Sequence, residues 1–91
     1  MEKITPEDVK RLVESFVKEK LAYQGRSLTE DLRDDCDLLI DGFIDSLGVL
    51  ELITRVEEAF QKEIDFESMD PEKLTIVKYF CEFVSVAVNK A

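Results

Sequence analysis

The 91-residue chain contains no histidine. That removes the commonest general base and metal ligand, and with it every nucleophile arrangement that depends on an imidazole. Its two cysteines, Cys36 and Cys81, are far apart and form no close-spaced metal motif. The opening "MEKITPEDVK" lacks the basic-then-apolar layout of a secretory signal, so free thiols and a cytoplasmic location are expected. No apolar run approaches the roughly 18 residues of a membrane span, so no membrane insertion is expected. Basic residues are scarce where they would matter most. Residues 30–72 hold fifteen of the 21 acidic residues but three of the 12 basic ones, and the chain carries a formal charge of −9. Such a field repels nucleic acid and anionic lipid and attracts proteins with basic patches.

What is present reads as one small helical domain over residues 1–91. "TPEDVKRLVESFVKEKLAY" gives a first helix over about residues 5–23. Thr5 suits its N-cap, Pro6 the first position, and Asp8 the acid of a capping box. Val9, Leu12, Val13, Phe16 and Val17 recur at helical spacing, and Gly25 suits the C-terminus. Residues 24–45 form a long connection with apolar anchors, among them Leu28, Leu32, Leu38, Leu39, Phe43 and Ile44. A second helix is expected over about 46–61, a short one near 67–70, and a last helix over about 75–89 capped by Thr75. Ile76, Val77, Phe80, Phe83, Val84 and Val88 would form its inner face, with Cys81 packed beside it. The fold class is therefore all-α, a small four-helix bundle of three main helices and one short one.

The second helix carries the informative stretch, "DGFIDSLGVLELI" at residues 41–53. At about 100° per residue, Val49, Leu50, Ile53, Val56 and Phe60 fall on one side, which should face the core. Leu47 lies about 130–140° from that centre and points outward, sharing its stripe with Glu51, Thr54 and Glu58 while Arg55 flanks them. Ser46 has two readings. It can be the N-cap, or Asp45 can cap and leave the Ser46 hydroxyl free beside the positive end of the helix, where an attached phosphate is favoured.

"DSL" opening this helix, preceded by "IDGFI" and followed by "ELITRVEEAF", resembles the acyl carrier protein family at its modified serine. "VEEAFQKEIDF" and "KLTIVKYFCEFV" extend the resemblance over about residues 30–84. It implies a bundle of the acyl-carrier-protein type and a non-catalytic chain. Ser46 would carry 4′-phosphopantetheine from coenzyme A, attached by a phosphopantetheinyl transferase, and the arm would hold acyl or aminoacyl groups as thioesters. Asp45, Leu47, Glu51, Glu57 and Glu58 match positions where the family meets its partners. Those partners are a loading ligase and acyl-processing synthases or transferases with basic patches. Ile64, Met69, Ile76 and Phe80 could line a pocket for a bound chain, although a plain core role suits each of them.

Gly48, Arg55, Ala59 and the proline in "MDPEKLT" depart from the commonest fatty-acid carriers and suit a standalone, specialised carrier. The absence of a glycine-histidine pair before Ser46 argues against the peptide-synthetase subclass. Two other classes compete. A calcium loop starting at Asp37 fails at Leu39 and Gly48, where acidic ligands are required. An unmodified helical adaptor that uses the acidic face for protein contacts remains compatible with the sequence.

Overall fold

The computed structural model describes residues 3–28 and 30–90. Among the described residues, three α-helices make up the regular structure: α1 at Pro6–Tyr23, α2 at Ser46–Phe60 and α3 at Val77–Asn89. The short fourth helix expected near 67–70 is instead a single 3₁₀ turn, Phe66–Ser68, held by the Asp65 carboxylate on the Glu67 amide at 3.1 Å. The fold is all-α, but the bundle has three helices and a turn.

Local chemistry sets both ends of α1. The Thr5 hydroxyl accepts from the Asp8 amide at 3.1 Å, and the Asp8 carboxylate accepts from the Thr5 amide at 3.0 Å. That reciprocal box satisfies donors that the first helical turn leaves unpaired. At the other end Gly25 adopts φ +70°, and Arg26 and Gly25 donate to the Leu21 and Ala22 carbonyls at 2.8 and 3.0 Å. This is a Schellman closure, in which glycine avoids the steric cost of left-handed backbone.

Val9, Val13, Phe16, Val17 and Leu21 of α1 meet Val77, Phe80, Cys81 and Val84 of α3 in the core, while α2 contributes Leu52 and Val56. One α2 assignment is corrected. Leu50, expected inside, is 62% exposed, and Leu52 takes its place with Gly48 and Val56. Inward residues recur at i, i+4 and i+8 around Leu52, which puts Leu50 about 160° away. Phe60 is only partly buried at the edge of the core. Gly48 also allows a close approach, because a Cβ there would lie 3.0 Å from Ile44 Cβ.

The long connection is packed down by Leu32, Cys36, Leu38 and Ile44, all buried. It also caps α3. The Val77 and Lys78 amides, orphan donors at a helix start, donate to the Cys36 and Asp34 carbonyls at 2.9 Å each. Thr75 is therefore not the α3 cap. Ile76 holds that position without a side-chain bond, and the Thr75 hydroxyl donates to Asp37 at 2.7 Å. Burial alone would raise the Asp37 carboxyl, but the Thr75 hydroxyl and the Ile40 and Leu39 amides outweigh it and hold it below the usual range.

α2 ends on Gln61, at φ 53° and ψ 47°, with the Lys62 amide bonded to the Glu57 carbonyl at 3.1 Å. A β-carbon is strained in that conformation. Gln61→Gly should therefore stabilise the domain by about 0.5–1 kcal/mol, net of glycine's greater freedom when unfolded. Urea denaturation would read this as a higher midpoint at unchanged slope, and a lower midpoint would show that the Gln61 side chain contributes more than its backbone costs.

Candidate functional site at the start of α2

Asp45 and Ser46 offer competing oxygens at one helix start, and the geometry separates them. Asp45 is the N-cap, accepting from the Gly48 amide at 2.7 Å. Ser46 is the first helical residue and is exposed. The cap therefore makes no demand on its hydroxyl, which lies beside the electropositive end of α2. Gly42, at φ +79°, and the turn around Asp37 deliver the chain to this point, while buried Ile44 fixes the approach.

The other candidate residues are placed as follows. Leu47 is 64% exposed, one helical turn from the equally exposed Leu50, and Ile40 of the connection is 82% exposed. Glu58 and Thr54 are exposed on the same side of α2. Glu51 faces outward but is paired with Lys20 of α1. Glu57 is half-buried, and its carboxylate accepts from the Ile64 amide at 2.9 Å, closing the chain behind α2. Asp45 is committed through one oxygen to the cap. Of the chain-pocket candidates, Ile64, Met69 and Phe80 are buried in the fold, and Ile76 borders a surface cleft with Lys10, Lys78 and Tyr79.

Sequence reading missed Leu50 and Ile40 as surface residues and missed the contribution of α1. Leu50 follows Leu47 at i+3, a spacing that makes the two neighbours on a helix surface. Nothing in local sequence signals that Lys20 and Glu19 reach across to α2. Between the end of α1 and the start of α2 lies a cleft of about 340 Å³, bordered by Lys20, Gln24, Phe43, Asp45, Leu47 and Glu51.

Neither cysteine belongs to this site. Both are free and buried. Burial pushes the Cys81 thiol up to about 12, and burial followed by the neighbouring Asp41 carboxylate does the same to Cys36. Since the thiolate is the reactive form, both should resist a disulfide-exchange reagent at pH 8 in the folded chain and react together once urea unfolds it. Immediate reaction without denaturant would show that the core opens far more readily than its burial implies.

The chain is 37% identical over 76 residues to a protein of Desulforapulum autotrophicum named acyl carrier protein, covering 84% of this chain and 92% of that one. No family model and no solved structure matches. The fold makes this a small all-α domain. At this identity and coverage, the chain belongs to the acyl carrier protein family.

Proposed function

We propose that the chain is a non-catalytic carrier that bears 4′-phosphopantetheine on Ser46. The observation that carries this reading is the division of labour at the start of α2, where Asp45 caps and leaves the exposed Ser46 hydroxyl for chemistry. The residues fit the group. An anionic phosphodiester at the first helical position meets the positive end of α2, and a tether from an exposed oxygen leads into solvent.

In the modification, Ser46 Oγ forms a bond to the β-phosphorus of coenzyme A. The pyrophosphate linkage breaks, 3′,5′-adenosine bisphosphate departs, and the serine proton passes to a base on the transferase. When bound, the arm supplies a terminal thiol that holds an acyl or aminoacyl group as a thioester. Everything else asked of this chain is presentation. Asp45 and buried Ile44 hold the helix start rigid. Exposed Leu47 and Leu50 offer apolar contact, and Glu51 and Glu58 attract basic partners such as the transferase, a loading ligase and acyl-processing enzymes.

The test is an intact-mass spectrum after incubation with coenzyme A, magnesium and a broad-specificity phosphopantetheinyl transferase. A single phosphopantetheine-sized gain is expected. It should be accompanied by one readily titrated thiol in the folded protein, because Cys36 and Cys81 are sealed. An unchanged mass under conditions that modify a control carrier would favour a helical adaptor instead.

A further inference from the structure

Two charged residues on the outward side of α2 are held from α1. The Lys20 ammonium is bonded to Glu51, and the Arg55 guanidinium forks onto the two Glu19 oxygens at 3.0 and 3.3 Å. Both cations lie over the ring of Phe16, at 5.5 and 5.3 Å from its centroid. Phe16 is itself sealed in the core, so the two cations share a fixed platform. The Lys20 and Glu51 side chains remain 26% and 44% exposed, which keeps the pair within reach of another protein.

Resting on the carrier reading above, we infer that Lys20 determines partner specificity by competing internally for Glu51. A carboxylate beside an ammonium projects a weaker field than a free one, because the two charges cancel with distance. A basic partner gains Glu51 only net of the pair it displaces. A lone partner lysine offers the carboxylate no more than Lys20 already does. An arginine offers two parallel bonds from a planar fork, and it displaces a single ammonium. Lys20 thereby selects partners that bring a guanidinium to Glu51, and it holds back those that bring diffuse positive charge alone.

The experiment measures the rate of phosphopantetheine transfer to the apo chain, by intact mass, at several ionic strengths with coenzyme A, magnesium and a broad-specificity transferase. Lys20→Met should raise the rate about two- to fivefold at low salt, with Lys20→Gln as a second neutral variant. Lys18→Met is the control, since it removes the same formal charge from an exposed position on the same helix. The gain should exceed that of Lys18→Met and should disappear in a Glu51→Gln background. A gain no larger than the control, or one that survives Glu51→Gln, would overturn the role of Lys20 while leaving the carrier reading intact. If wild type and variants alike gain no mass beside a modified control carrier, the carrier reading fails and this inference fails with it.

Discussion

Phe80→Ala is expected to remove about 3–5 kcal/mol of folding stability, the usual cost of emptying a sealed aromatic site. A domain of this length has about 5–14 kcal/mol in total, so the loss would take between about a fifth and all of it. Phe80 is 2% exposed at the α1–α3 contact, and its ring stacks on Phe66 with centroids 5.7 Å apart and planes 11° from parallel. Phe66 in turn lies 5.7 Å from Phe83. Losing Phe80 therefore opens a cavity and loosens the 3₁₀ turn that carries Phe66. Phe60 supplies the contrast, because it is partly buried at the core edge and its neighbours can relax. Phe60→Ala should cost about 1–2 kcal/mol, a fraction of the full large-to-small penalty. Urea denaturation of the two variants side by side tests the difference. Equal losses would mean that Phe60 is as deeply seated as Phe80.

The contrast between these phenylalanines shows where sequence suffices and where it stops. The Thr5–Asp8 box is legible because its donors and acceptors lie within one turn, so local rules decide it. The inner faces of α1 and α3 are legible because their valines and phenylalanines form a single stripe. α2 has apolar residues at 47, 49, 50, 52, 53, 56 and 60, which is too wide an arc to centre by inspection. Only packing against α1 selects Leu52 over Leu50. Gly48 adds to the ambiguity, since a residue without a side chain gives no hydropathy signal yet marks the buried side of the first turn.

α3 shows a tertiary override. Thr75 has the right chemistry for a cap, but the carbonyls of Asp34 and Cys36, some forty residues earlier, reach the helix start first. Thr75 then turns to Asp37. No local pattern contains that information. The ion pairs from Lys20 and Glu19 to α2 were illegible for the same reason, because they link residues more than thirty positions apart.

At the candidate site the capping chemistry alone left Asp45 and Ser46 undecided, since either oxygen can cap a helix, and only the family resemblance pointed to Ser46. The structure makes the two substitutions differ in sign. Ser46→Ala removes no cap and places a better helix former at the first position, so stability should hold or rise by a few tenths of a kcal/mol. Asp45→Ala deletes the 2.7 Å bond to the Gly48 amide and should cost about 1 kcal/mol. In the transferase assay Ser46→Ala should show no phosphopantetheine gain at all, because the acceptor oxygen is gone, while its melting curve stays native. Asp45→Ala should still accept the group. A Ser46→Ala protein that gained mass would move the attachment elsewhere. One that lost about 1 kcal/mol on its own would show Ser46 sharing the cap, and the free hydroxyl on which the carrier reading stands would be gone.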